Sequence, residues 1–405
     1  MPLRRILVVG GGVAGFSAVR ELRERGYDGE LTLLSPEGLP YDRPPLSKGY
    51  LLGTEDAQKI RLVPEAWYAE HGVGLVPERA SALRPSEGAV ELSGGRLVPA
   101  DRVLLATGST PRRLGVAGGD TALTLRTRAD ADALRTALAP GARVAVVGAG
   151  LIGSEVASAA VVLGAEATLI DPVVPPLVPA VGRALAERLQ GMHAERGVRT
   201  SVSVPVEITD DGGRRLVRLA DGSAVEADVV VAGIGVVPET SLAEKSGLAA
   251  DDGILVDAAG TTSNPAVFAA GDATRLRRPD GTLARRSEHW EAAVRSGQAA
   301  AAGLLGEAPP TFGAPWFWSD RHGVHVEAVG TLDERQAPDG RTVVRFVDGV
   351  PQAAFLLAAD GRLLGCAVVD LPLMVRAARR IIDRGLVPDP AALSDPSADP
   401  RKLAR

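Results

Sequence analysis

The sequence predicts an α/β fold, and two repeated patterns carry that expectation. The first is a β-α-β unit. An apolar run at Ile6–Val9 ends in Gly10, Gly11 and Gly12, helical character runs from Val13 to Arg25, and Glu30–Leu34 reads as a second strand. The unit returns as Val144–Val147, the glycine-bearing turn from Gly148 to Gly153, a helix to about Leu163 and a strand at Ala167–Ile170. The second pattern is an echo between two apolar strands. Residues 100–108 close on Gly108 with Pro111 following, and residues 227–235 close on Gly235 with Pro238 at the same offset. Alternating strands and helices build parallel sheets, so the chain reads as two copies of one sheet-forming unit.

The remaining elements follow in order. Val267–Ala270 is a strand running into Gly271-Asp272, and an alanine-rich helix spans about Glu288 to Leu305. Pro309 and Pro310 punctuate the chain there. From Phe312 to Val369 strand-like runs alternate with turns such as Pro338-Asp339-Gly340 and Asp360-Gly361. A helix is expected at about Pro372–Arg384, and a loop-like tail from Pro388.

The 405 residues suggest two or three domains. Apolar residues at 45% and charged residues at 23% exclude a disordered or fibrous chain. A net charge of -5 argues against a protein that wraps nucleic acid by charge alone and leaves a local basic patch open. No run reaches the ~18 apolar residues of a membrane helix. The single cysteine, Cys366, excludes a disulfide framework, a cysteine-ligated cluster and a Cys-x-x-Cys redox site. It lies in an apolar run and is expected in the core. A cytoplasmic location is the expectation.

Gly10-x-Gly12-x-x-Gly15, with Val13 and Ala14 between its glycines, sits between a strand and a helix. There glycines permit a tight turn and close approach to a pyrophosphate, and the helix N-terminus offers free N–H groups. Gly148-x-Gly150-x-x-Gly153, carrying Leu151 and Ile152, repeats it. Two copies suggest two dinucleotides, a bound flavin and a nicotinamide. Asp171 ends the second strand of the second copy, and no Arg lies between it and Val181. A carboxylate there accepts from ribose hydroxyls and repels a 2′-phosphate, which predicts NADH over NADPH. In the first copy that position is Ser35, with Glu37 two residues on as the alternative.

Arg43-Pro44-Pro45-Leu46-Ser47-Lys48 is a proline-stiffened loop that holds Lys48 with little freedom to lose. A lysine beside flavin N5 would attract a hydride and stabilise the reduced ring. Asp272, after Gly271, suits a ribityl hydroxyl. The helix after Glu288-His289-Trp290 could aim its positive end at the flavin pyrimidine. His289 is expected to cap or pack, not to act as an acid or base. Only 14 residues are aromatic, yet Phe312, Trp316, Phe317 and Trp318 fall together. They read either as core or as an indole pair lining a flavin–nicotinamide site and coupling electrons to a partner.

Taken in order, these motifs resemble the FAD- and NADH-dependent ferredoxin reductases of bacterial oxygenase systems. The resemblance covers essentially the whole chain. Its marks are the paired fingerprints, Tyr41-Asp42-Arg43-Pro44-Pro45-Leu46-Ser47-Lys48, Ala106-Thr107-Gly108, Gly150 to Glu155, Ala270-Gly271-Asp272, Glu288-His289-Trp290 and Pro315 to Asp320. It implies a glutathione-reductase-like fold with two Rossmann-type dinucleotide-binding domains and an α+β C-terminal interface domain. The FAD domain would occupy 1–110 and 237–310, the NADH domain 111–236 and the interface domain 311–405. Non-covalent FAD is expected near Gly12, Ala14, Gly15, Arg43, Lys48, Ala80, Arg126, Asp272 and Trp290. Ala106, Thr107, Gly108 and Gly235 are expected beside the nucleotides. Glu155 matches the acid expected near the nicotinamide amide, and it would pair with Lys48. Lys48, Glu155 and Trp316 are the expected catalytic residues.

The implied activity is hydride transfer from NADH to FAD, then single-electron transfer to a 2Fe–2S ferredoxin serving a Rieske or haem-thiolate oxygenase. The absence of cysteines before Cys366 argues against thiol relay chemistry. Docking an acidic ferredoxin on a net acidic protein needs a local basic face. Arg275, Arg277, Arg278, Arg285 and Arg286 cluster in sequence; Arg285, Arg286, Trp318 and Arg321 are the expected partner-binding residues. A rubredoxin or quinone acceptor, or a redox-signalling flavoprotein like apoptosis-inducing factor, are the alternatives. No nucleic acid or membrane is expected, and a monomer and a weak homodimer are both open.

Overall fold

A computed structural model describes residues 3–403. The chain forms two units, each assembled from separated stretches. The first holds the chain up to Pro45, Glu55–Thr110 and Val236–Phe312. The second holds Leu46–Thr54, Pro111–Gly235 and the chain from Gly313 on.

In the first unit a five-stranded parallel sheet has the order Val267–Ala269, Arg102–Leu105, Arg5–Val9, Glu30–Leu34, Val73–Val76. Its strands are continuous apolar runs because both faces are covered. Ile6, Val8, Leu31, Leu33 and Leu104 point to one core, and Leu7, Val9, Leu34, Val103 and Leu105 to the other. Helices Val13–Glu24 and Trp290–Leu305 cover the first face. They pack closely: a Cβ on Gly297 would sit 2.3 Å from the Ala14 carbonyl oxygen. An antiparallel sheet of Ala80–Arg84, Ala89–Leu92 and Leu97–Pro99 covers the second.

The register fixes where chemistry can occur. Val9 lies opposite Leu34 and Leu105, and Leu105 opposite Ala269. The strands therefore end level, and Gly10, Ser35, Ala106 and Ala270 emerge along one edge, where parallel sheets bind ligands.

The second unit repeats this. A parallel sheet runs Arg199–Ser201, Glu166–Ile170, Arg143–Val147, Val229–Ala232, with Val147 opposite both Ile170 and Ala232. Gly148, Asp171 and Gly233 follow at its edge. An antiparallel meander, Pro205–Asp211, Arg214–Leu219 and Ala224–Ala227, packs on it.

The C-terminal part is a five-stranded antiparallel sheet, ordered Trp316–Arg321, Val324–Gly330, Leu363–Val369, Val350–Leu357, Arg341–Val347. Alternate residues feed two cores. Val329, Phe355, Cys366 and Val368 meet helix Pro372–Asp383; Val326, Ala328, Ala367 and Val369 meet Leu185 and Leu189 of helix Arg183–Glu195. Cys366 is fully buried, and burial pushes its thiol up, away from a reactive thiolate.

Two expectations need correction. The tail is not loop throughout. Pro390–Ser394 is a helix whose Asp389 side chain caps Ala391 N–H, with proline at the first helical position. The buried Arg345 donates to the Leu393 and Ala392 carbonyls and ties this helix down. The alanine-rich helix begins at Trp290, because His289 keeps an extended backbone as its N-cap. Among the described residues, no helix is long and apolar enough to cross a membrane.

Candidate functional site

Both glycine turns have the same internal logic. Gly10 has φ +119°, and a Cβ on it would lie 2.1 Å from the Ala106 carbonyl oxygen. A Cβ on Gly15 would lie 2.0 Å from the Gly10 carbonyl oxygen. In the second unit Gly148 has φ +98° and would clash with the Gly233 carbonyl oxygen at 2.4 Å, and Gly153 with that of Gly148 at 1.9 Å. These four glycines are demanded by packing. The middle ones are not: a Cβ on Gly12 or Gly150 meets nothing within 4 Å. Each is the N-cap of its helix and offers no side-chain cap. The result is two open, concave helix N-termini whose N–H groups suit a phosphate.

The strand ends differ between units. Asp171 accepts from Ala149 N–H and Val173 N–H, each at 2.8 Å, so its carboxylate is fixed against the glycine turn. In the first unit Ser35 is buried and donates inward to the Gly38 carbonyl, which makes it a turn-former. Glu37 holds Arg43 at 2.8 Å and also accepts from Tyr41 Oη. Arg43 lies over the Tyr41 ring, 5.5 Å from its centroid.

Other expected residues of the first unit gather along the same strand ends. Asp272 is buried and accepts from Ser109 Oγ at 2.8 Å, and Gly271 N–H donates to Ser296 Oγ. Thr107 Oγ1 donates to the Glu239 carbonyl, whose own N–H donates to Gly108. Trp290 Nε1 donates to Asp42 Oδ1 at 2.7 Å. Burial pushes the His289 imidazole down, against the pull of Asp272, which agrees with a residue that packs. Glu288 pairs with Arg286 at 2.9 Å. Ala80 opens the antiparallel sheet, opposite Leu92, four residues after strand Val73–Val76 ends level with Leu34.

In the second unit helix Leu151–Val162 begins at the glycine turn and carries Glu155 on its first turns. Glu155 is 4% exposed. It accepts from Lys48 Nζ at 2.8 Å, from Ser47 Oγ and from Ser319 Oγ at 2.5 Å. The proline-bearing turn Pro44–Ser47 delivers both Ser47 and Lys48. Arg126 precedes a capping box, Thr127 with Asp130, that opens helix Arg128–Ala137. Gly235 is exposed, and its carbonyl accepts from Arg112 N–H. Trp316 and Trp318 stack with centroids 4.9 Å apart, and Trp316 Nε1 donates to Glu327 at 3.0 Å.

The basic cluster divides on inspection. Arg277, Arg278 and Arg285 are exposed. Arg286 is not a free docking residue: its side chain is 9% exposed and is held by Asp252, Glu288 and the Asp272 carbonyl. Arg321 is also corrected. Strand Trp316–Arg321 alternates, sending Trp316, Trp318 and Asp320 to one face and Phe317, Ser319 and Arg321 to the other. Arg321 is 3% exposed and lies inside, beside Ser319. The period of two was legible in the sequence and would have separated Arg321 from Trp318. Ser47, Ser319 and Asp42 were missed as partners; only their places inside quoted motifs hinted at them.

A family model described as pyridine nucleotide-disulphide oxidoreductase matches residues 4–297, and one described as reductase C-terminal matches residues 316–404. The chain belongs to the pyridine nucleotide-disulphide oxidoreductase family. Among its relatives is the ferredoxin–NAD(+) reductase component of an anthranilate 1,2-dioxygenase system from Burkholderia cepacia. That protein is 38% identical, and the match covers 96% of this chain and 97% of the relative. Putidaredoxin reductase of Pseudomonas putida is 32% identical over 98% and 96% of the two chains. Of solved structures, a covalent putidaredoxin reductase–putidaredoxin complex superposes with TM-score 0.89 at 30% identity, covering 98% of this chain and 97% of that one. A ferredoxin reductase from Rhodopseudomonas palustris gives 0.91, also at 30% identity, covering 99% of both. FAD and NADH are the family's redox pair, and two open glycine cradles, one per unit, fit two dinucleotides.

Proposed function

We propose that this chain is an FAD-containing, NADH-dependent ferredoxin reductase that feeds a bacterial oxygenase from the cytoplasm. The observation that carries this reading is helix Leu151–Val162. Its N-terminus is an open phosphate cradle, and one turn further in Glu155 holds Lys48 at 2.8 Å. One rigid element thus connects dinucleotide binding to a positioned lysine.

When bound, FAD accepts a hydride from NADH and gives up its electrons singly, which suits a one-electron iron–sulfur acceptor. The chain's own residues supply position and field. The Gly10–Gly15 cradle, Arg43, Asp272 and Trp290 hold FAD, with 1–110 and 237–310 as its domain. The Gly148–Gly153 cradle and Asp171 hold NADH in 111–236. Glu155 fixes Lys48, whose ammonium would stabilise negative charge developing on a bound flavin. Trp316, stacked on Trp318, serves as the aromatic partner of the reaction, and 311–405 as the interface domain. The relatives named as ferredoxin reductases favour ferredoxin over a rubredoxin or quinone. The buried Cys366 argues against disulfide substrates.

Two outcomes are expected at once. NADH should exceed NADPH in kcat/KM by more than about tenfold, because a 2′-phosphate meets the fixed Asp171 carboxylate. Asp171→Asn should narrow that preference, and parallel steady-state assays decide; faster turnover with NADPH contradicts the assignment. Charge reversal at the exposed Arg278 and Arg285 should raise the KM for an acidic ferredoxin and flatten its salt dependence, leaving flavin reduction by NADH unchanged. An unaltered KM removes this patch from docking.

A further inference from the structure

A buried guanidinium lies one hydroxyl away from the lysine–glutamate pair. Arg321 Nη2 donates to Ser319 Oγ at 2.9 Å, and Ser319 Oγ donates to Glu155 Oε1 at 2.5 Å. The direction is fixed by chemistry: a hydroxyl that accepts from a guanidinium has its one proton for the carboxylate. Arg321 is poorly compensated for so deep a charge. Among the described residues it makes this single side-chain hydrogen bond, and its buried Nε has no partner. A charge kept at such cost is weak evidence for stability.

We propose that Arg321 is a positioning charge: acting through Ser319, it holds Glu155 as an acceptor for Lys48 and leaves the Lys48–Glu155–Arg321 cluster with one net positive charge. Lysine and glutamate alone cancel. With Arg321 behind them, the ammonium keeps an uncancelled field toward whatever negative charge develops beside it. This rests on the reading of Lys48 as the residue that faces the flavin.

The surroundings agree. Burial lowers the guanidinium to about 10, with Glu155 and Asp320 pulling against it, so it stays charged at neutral pH. Asp320 does not cancel it efficiently, since its carboxylate is 41% exposed and bonded to His325 Nδ1 at 2.6 Å. Two imidazoles nearby, His193 and His322, lie 2.8 Å apart nitrogen to nitrogen. Burial depresses them to about 3 and about 4, with Arg321 adding to the effect, so neither shares the charge.

The test uses the FAD-loaded protein and reads the equilibrium midpoint potential of the flavin by absorbance, together with thermal unfolding. Arg321→Met should make flavin reduction at least tenfold less favourable at equilibrium, a fall of ~30 mV for a two-electron couple. Arg321→Lys should restore most of it, and Ser319→Ala should move it in the same direction as Arg321→Met. A merely structural arginine would instead alter the unfolding midpoint and leave the potential unmoved. An unchanged potential in Arg321→Met, with a clear fall in Lys48→Met, overturns the role of Arg321 alone. No change in either variant overturns the Lys48 reading and this inference with it. If Arg321→Met fails to fold, an unchanged potential in Ser319→Ala overturns the relay.

Discussion

Replacing Lys48 with methionine should slow reduction of the flavin by NADH about 10²-fold, the size expected when one preorganised electrostatic group is removed from a developing charge. Affinity for NADH should barely change, because the Gly148–Gly153 turn is built from its own backbone while Lys48 bonds to Glu155 further along the helix. Methionine keeps the length and the apolar stem, so packing is preserved. Glu155 would keep two of its three donors, Ser47 and Ser319, and so would not be stranded in the interior. Anaerobic stopped-flow traces at increasing NADH separate the two quantities. The limiting rate should fall while the half-saturating concentration holds. A limiting rate within a few fold of the parent removes Lys48 from the hydride step. The double variant with Glu155→Gln should be no slower than Lys48→Met, since the carboxylate acts through the lysine.

The second large effect separates two glycines three residues apart. Gly150→Val should leave stability unchanged, because φ at Gly150 is -65° and its Cβ would enter open space. NADH binding should nonetheless weaken at least 100-fold. The branched side chain keeps the pyrophosphate from the helix N–H groups, and each charge-assisted hydrogen bond lost is worth ~1.5–3 kcal/mol, roughly tenfold or more. Gly153→Ala should do the reverse. Its Cβ would lie 1.9 Å from the Gly148 carbonyl oxygen, so helix and strand must part, costing ~1–3 kcal/mol or more of stability. Thermal unfolding paired with NADH titration distinguishes the two. Equal destabilisation by both variants would mean that the Gly150 position is not the open face of the cradle.

Both cradles were legible in the sequence because their cause is local. Glycine spacing after an apolar run reports a turn that no Cβ permits, and the register of parallel strands then levels Gly10 with Ser35 and Ala106. The Lys48–Glu155 pair bridges residues 107 positions apart and came from resemblance to a family, not from any spacing. Arg321 was misjudged, and Ser319 missed, for a different reason. Arginine reads as surface by composition, while strand alternation, a stronger constraint, places it on the inner face with Ser319. The turn role of Ser35 was not legible, since its hydroxyl donates to the Gly38 carbonyl within the 35–38 turn, a bond that the strand-end position alone does not predict. The Pro390–Ser394 helix was overlooked because proline and aspartate, read as tail residues, are here a helix start.

The most direct measurement is NADH-dependent cytochrome c reduction by the FAD-loaded protein, with and without an added 2Fe–2S ferredoxin. Slow turnover alone and a large increase that saturates with ferredoxin are expected. Bleaching of the flavin by NADH with no ferredoxin-dependent increase would contradict that, leaving the hydride half standing and the acceptor wrong.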